Sequence, residues 1–340
     1  MSIPAVRIPE HTPIGRIIGL VLALAAILTV IVLAFSWPGV TSEPKNLPVA
    51  ISGEAAQVQQ VTAALEENAE GLLDLIEVDN AVEASALIEN RTVYGAIILT
   101  APPEVLTSSA ASPVVAQLLT GLAGRLEAMA NQAAAAQGIV LPQPITVTVT
   151  DVVPLSDTDP RGSGLASVSF PLLFGGILGG IAISLTVVGV WRRVGALLGY
   201  VIVGGLAICG IRQAWFGVLQ GNYLVNAGAI ALSLLAIAAP MVGLSALFGR
   251  PGLAIGAVLF VLVANPIASA ALPPQFLPEP WGAIGAWFPP GAAAVLMRDL
   301  SYFPEADIGF PVAVLACWAI AGLVLAVVGP FKHAEQPATV

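Results

Sequence analysis

The chain has 340 residues, 57% of them hydrophobic and 10% charged. Soluble domains carry about 25% charged residues, so neither a soluble globular class nor disorder fits. The net charge of −9 does not suit nucleic-acid binding, which wants a basic face, and two cysteines, Cys209 and Cys317, both in apolar runs, cannot make a disulfide scaffold.

In chain order, residues 1–16 read as a tail. Pro4, Pro9 and Pro13 forbid a regular helix there. The apolar run Ile17–Phe35 follows, within a first transmembrane helix at 17–37. It is longer than the apolar core of a signal peptide, and Ser36-Trp37-Pro38-Gly39 is no cleavage site, so it reads as an uncleaved anchor. Residues 38–164 read as an α/β domain. Strands are expected at Leu47–Ser52, Leu72–Val78, Val93–Leu99 and Ile145–Val153, and helices at Glu54–Asn68, Ala81–Glu89 and Pro113–Gln137. Alternating strands and helices predict βαβ units and a partly parallel sheet. Asp157–Gly164 (DTDPRGSG) reads as a solvated polar linker rather than a metal-binding DxD motif, because no other ligand cluster accompanies it.

Residues 165–330 contain five further apolar runs: Phe170–Val190, Val194–Ile211, Val225–Leu247, Gly252–Leu272 and Phe310–Val328. With the first they make six, each near the roughly 20 residues that a helix needs to cross a ~30 Å hydrocarbon core. The fold class expected is a polytopic α-helical membrane protein of six transmembrane helices, with an extracytoplasmic α/β domain between helices 1 and 2. Residues 331–340 form a second tail. Pro273–Gly309 is too apolar for a plain loop. It reads equally as an interfacial loop anchored by tryptophans or as a re-entrant element.

Orientation follows from Lys and Arg in short loops. With the N-terminus inside, the inner face holds Arg7, Arg16, Arg192, Arg193, Arg250 and Lys332 against Glu10 and Glu335. The outer face then carries nearly all the acid. A plasma-membrane protein with both termini cytoplasmic is expected.

Much chemistry is missing from the sequence. There is no GxxxxGK[ST] phosphate loop, so any ATP hydrolysis belongs to another chain. The two histidines, His11 and His333, lie in the tails and supply neither a Ser-His-Asp triad nor a histidine zinc site outside the membrane. No ionisable residue lies in the core of any run, which argues against proton-coupled transport. No catalytic residue, cofactor or metal is expected. The overlapping GxxxG pairs of Gly175, Gly176, Gly179 and Gly180 predict close helix packing. Pro240 and the pair Asn265-Pro266 should kink or open their helices. With Asn226 they are read either as interhelical hydrogen-bonding points or as a path lining or hinge.

The layout, together with particular stretches, resembles a known family. The stretches are FPLLFGGILGG at the start of the second span, Phe248-Gly249-Arg250-Pro251-Gly252, NPIASAALPPQFLPEPW from Asn265 to Trp281, and WFPPGAAAVLMRDLSYF from Trp287 to Phe303. They are similar to the ABC type-2 exporter permeases, in the branch related to phage-infection proteins and common among actinobacterial membrane proteins. The resemblance implies a homodimeric membrane path driven by a separate cytoplasmic ATPase. It implies outward movement of a lipid, polysaccharide, drug or peptide, and a segment between the last two spans that dips into the outer leaflet. On that basis Trp287, Pro289, Pro290 and Arg298 are candidates for an outer gate. Arg192, Arg193 and Arg250 are candidates for cytoplasmic coupling. The alternative is a non-transporting envelope protein whose outer domain binds a cell-wall component or a partner protein. The short inner loops, Trp191–Arg193 and Gly249–Pro251, favour that alternative because they offer an ATPase little to grip.

Overall fold

The computed structural model describes residues 12–136 and 143–334. The expected N-terminal tail as far as residue 11, the last residue of the expected helix Pro113–Gln137, and tail residues 335–340 lie outside the described residues.

The chain opens with helix α1 (Ile14–Val40), which starts directly after Pro13 and runs through Pro38. It then enters the α/β domain: β1 (Leu47–Ser52), α2 (Ala55–Asn68), β2 (Leu73–Glu77), α3 (Ala81–Glu89), β3 (Gly95–Ile98), β4 (Glu104–Thr107), α4 (Pro113–Ala136) and β5 (Thr148–Asp151). The sheet order is β2-β1-β3-β4-β5. β1 pairs in parallel with β2 and β3, β4 runs antiparallel to β3, and β5 is parallel to β4. Strand alternation sorts the core into two layers. Val49, Ile51, Ile97 and Val105 face Val58 of α2 and Val115 and Leu119 of α4. Ala50, Ala96, Ile98 and Leu106 face Ala84 and Ile88 of α3. The start of α3 is fixed locally, since Asn80 Oδ1 accepts from the Val82 and Glu83 amides while Glu83 accepts from the Asp79 amide. Strand β4 was not among the expected elements. Its four residues follow Pro102 and Pro103 and are too short to show alternation.

The expectation of a solvated linker is corrected at Asp159, while Asp157, Thr158, Pro160, Arg161 and Ser163 are exposed. Asp159 is buried, and its carboxylate accepts from the Gly164 and Leu165 amides, capping the short helix α5 (Ser163–Ala166). The Thr158 hydroxyl donates to the Gly217 carbonyl at 2.7 Å. The segment is therefore a latch onto the helical bundle, because a short carboxylate satisfies helix-start amides better than water does.

The remaining helices are α6 (Ser169–Thr186), α7 (Val190–Cys209) continuing as a π-helical turn over Gly210–Trp215, α8 (Tyr223–Phe248), α9 (Arg250–Val258) continuing as a π-helical turn over Leu259–Ala264, α10 (Trp281–Gly285), α11 (Pro289–Tyr302) and α12 (Gly309–Ala334). Among the described residues, five helices are long and apolar enough to cross a bilayer: Ile14–Val40, Ser163–Thr186, Val190–Trp215, Tyr223–Phe248 and Gly309–Gly329. The protein is thus a polytopic helical membrane protein. The expected run Gly252–Leu272 does not form a sixth helix of that length. It ends at Ala264, so Arg250–Ala264 spans about 22 Å at 1.5 Å per residue. At Asn265-Pro266 the backbone leaves the helix, and the Asn265 amide reaches back five residues to Phe260. The chain still travels from one end of the bundle to the other here. Gly252 packs on the Leu244 carbonyl at the far end, and the Gln275 carbonyl accepts from the Lys45 amide beside the α/β domain.

Helix α8 is the axis of the bundle, and small residues let its neighbours close on it. Gly176 and Gly180 of α6 lie against Ile237 and Met241 of α8, while Gly175 and Gly179 lie against Tyr200 of α7. On α12, Gly322 abuts Pro240 so closely that a Cβ would lie 2.2 Å from the proline nitrogen. Helix α8 runs unbroken through Pro240. By contrast α1 has no buried residue, and its main contact with the bundle is along Leu259–Ala264.

Candidate functional site

Between the end of the π-helical turn at Ala264 and the start of α12, the chain folds as a hairpin. It runs from Asn265 through a 3₁₀ turn at Pro274–Phe276 and α10 to α11. Pro289 and Pro290 are the first two residues of α11, where a missing amide costs nothing. The hairpin dips into the bundle. Trp287 meets Phe310 edge to face at 5.0 Å, and its carbonyl accepts from the Trp318 indole at 2.8 Å. Phe310 and Trp318 are eight residues apart on α12, about 12 Å along the axis. From there α11 climbs back, and its C-terminal end meets the α/β domain.

That meeting is the most polar buried place among the described residues. Arg298 is 9% exposed. Its Nη1 donates to the carbonyls of Ala110 and Ala111 at 3.1 and 2.5 Å, and its Nη2 to the carbonyl of Ala270 at 3.3 Å. Asp299 is 3% exposed and forms an ion pair with Arg91, which follows α3. The Arg91 guanidinium also lies over the Phe303 ring, 5.8 Å from its centre. The Tyr94 hydroxyl donates to Gln275 Oε1 at 3.1 Å, and the amides of Glu43 and Lys45 donate to the carbonyls of Phe276 and Gln275. Phe276 and Phe303 enter the α/β core beside Val115 and Leu119. Each buried ring contributes roughly 1.5–3 kcal/mol, so domain and hairpin share one core as well as one polar seam.

The electrostatics follow from burial. Desolvation raises the Asp299 carboxyl above its ordinary value, against the opposing pull of Arg91. Burial, with Arg91 as a second cause, lowers the Arg298 guanidinium to about 10. Burial also raises the Tyr94 phenol. A cavity of about 310 Å³ opens along this seam, walled by Arg91, Tyr94, Ser269, Arg298, Asp299 and Asp307. A larger opening of about 810 Å³ lies between Thr41–Asn46 and Pro274–Pro280. No group of three or more His, Cys, Asp or Glu among the described residues comes together as a metal would require.

The other residues singled out by sequence are scattered. Pro289 and Pro290 are buried at the start of α11 with Trp287 exposed just before them, and Arg298 lies at the opposite end of α11, nine residues from Pro289. Asn226 donates to Gln213 Oε1 and the Gln220 carbonyl, where it ties α7 to α8. Pro240 lies mid-bundle beneath Gly322, and Asn265-Pro266 lies where the hairpin begins. At the far end, Arg193 donates to the carbonyls of Val187 and Ser184 and so caps α6. Arg192 and Arg250 are exposed there. The turns at that end are short, covering residues 187–189 and Gly249.

Sequence reasoning missed Arg91 and Asp299. Asp299 carried one usable signal, as a second charge beside Arg298 in an otherwise apolar helix. Arg91 carried none, standing in a polar Asn-Arg-Thr turn with φ of 65°. Comparison with family models, with curated proteins and with solved structures finds no match to this chain.

Proposed function

We propose that this protein is a membrane-spanning permease subunit of an ABC-type exporter, working as a homodimer with a separate ATPase. It would move a lipid, polysaccharide, drug or peptide outward across the plasma membrane. In this reading both termini are cytoplasmic and the α/β domain is extracytoplasmic. The segment Arg250–Gln275 is a sixth crossing made by a short helix and irregular backbone. The observation that carries the reading is the hairpin, which enters the bundle on the α/β side and returns to dock under the domain through Arg298. Non-helical backbone at membrane depth is sustained only where protein or a water-lined space satisfies it, and a hairpin gripped from above can gate such a space.

A second reading is a non-transporting envelope protein whose α/β domain binds a cell-wall component or partner protein. The three-residue and one-residue turns at the far end favour it, because an ATPase needs a surface to push. Purification of the tagged protein in mild detergent, with mass spectrometry of its companions, separates the two. A stoichiometric P-loop ATPase supports the permease. Envelope proteins alone, or only a second copy of this chain, support the alternative.

A further inference from the structure

The cavity between Arg91 and Arg298 has an unbalanced charge. Two guanidiniums line it with one buried carboxylate, Asp299, which is paired with Arg91. Asp307 also lines the cavity, but it is solvent-exposed and already engaged in capping the Gly309 amide at 2.8 Å, so water screens most of its influence. Arg298 meets only backbone carbonyls and has no carboxylate of its own. An uncompensated cation at this depth is costly unless an anion joins it. Guanidinium groups carry the forked donors that phosphate oxygens accept. Ser269, on the wall, holds left-handed backbone with φ of 51°, and its hydroxyl is buried without a hydrogen-bond partner. Strain of that kind in a cavity wall is a pointer to use.

The other part of the wall is apolar, with Leu272, Pro273 and Val295. Gly282, next to Trp281, also lines it, and Trp281 packs edge to face with Trp37 near the end of α1. Tryptophans gather at the level of lipid headgroups. The volume of about 310 Å³ sits at the small end of the range for ligand pockets.

We propose that this cavity binds a phosphate group through Arg91 and Arg298, carried either by an anionic lipid headgroup or by free phosphate. The inference is independent of the permease reading, since an envelope protein without an ATPase would hold the same group.

The test uses full-length, delipidated protein in dodecyl maltoside. Thermal stability is followed while phosphatidylglycerol, monooleoylglycerol or inorganic phosphate is added. A rise in Tm with phosphatidylglycerol, absent with monooleoylglycerol, is the expected result and assigns a lipid source. An equal rise with inorganic phosphate assigns the free ion. The Arg91→Gln variant should weaken the midpoint at least about tenfold. Because that change also disturbs the seam, Ala294→Leu serves as the second variant. It fills the cavity from a helical wall position, leaves every charge in place, and should abolish the rise while keeping the basal Tm. The proposal is overturned if neither phosphate compound stabilises the protein, if monooleoylglycerol does so equally well, or if Ala294→Leu responds like the unaltered chain.

Discussion

Two seams of this molecule are built on opposite principles. The seam of α8 with α12 has almost no polar side chains and is closed by the absence of side chains: Gly322 against Pro240, Gly243 against the Gly322 carbonyl, and Gly329 against Ala246. In lipid no hydrophobic force presses helices together, so close backbone approach has to supply the contact energy. The seam of the α/β domain with the hairpin is closed by Arg298, by the Arg91–Asp299 pair and by the Tyr94–Gln275 hydrogen bond, with Phe276 and Phe303 beneath. The first arrangement has one way to fit. The second consists of directional bonds that can be exchanged one at a time, which is why the cavity, the strain and any gating belong there.

The largest effect is expected at Gly322. Gly322→Leu would drive a side chain into the Pro240 backbone, and a loss of about 3 kcal/mol or more is expected. Size-exclusion chromatography should show loss of the monodisperse species. Next comes Arg298→Met, which strips the donor from the Ala110, Ala111 and Ala270 carbonyls. Roughly 1–3 kcal/mol is expected for each carbonyl left buried and unpaired. Limited proteolysis should then cut the α/β domain while the bundle survives.

Arg91→Gln sharpens the contrast through pH. Asp299 already holds its proton more tightly folded than unfolded, so its ionisation favours the unfolded chain. Stability is fully present below the unfolded carboxylate value and is lost as pH rises through the folded value. Without Arg91 the folded value rises further. The Tm deficit of the variant should therefore widen from acid towards neutral pH, and a constant deficit would show that the pair is not electrostatic. Tyr94→Phe removes one hydrogen bond and should cost ~0.5–1.5 kcal/mol in thermal unfolding. Smallest of all, Ile27→Ala on the unburied α1 should change stability by less than about 0.5 kcal/mol.

What the sequence made legible was what repeats along it. Ala81–Glu89 was readable because its cap and periodicity agree, and the five long helices because apolar length alone defines them. Gly252–Leu272 is equally apolar, yet hydropathy counts side chains and does not register a backbone that loosens at Leu259 and leaves the helix at Asn265-Pro266. Strand β4 was too short to display a period. Asp159 looked solvated because composition does not reveal which amides a carboxylate will find. The seam was the least legible part of all. Arg91 and Asp299 are 208 positions apart, and only the docking of the hairpin onto the α/β domain makes them neighbours.

Hydrogen–deuterium exchange on the full-length protein and on Arg298→Met would test most directly the claim that domain and hairpin act as one unit. The variant should lose protection together in the first turns of α4, beside Ala110 and Ala111, and in the hairpin around Ala270, while α8 keeps its protection. Loss on one side only would contradict it, because the domain and the hairpin would then be opening independently.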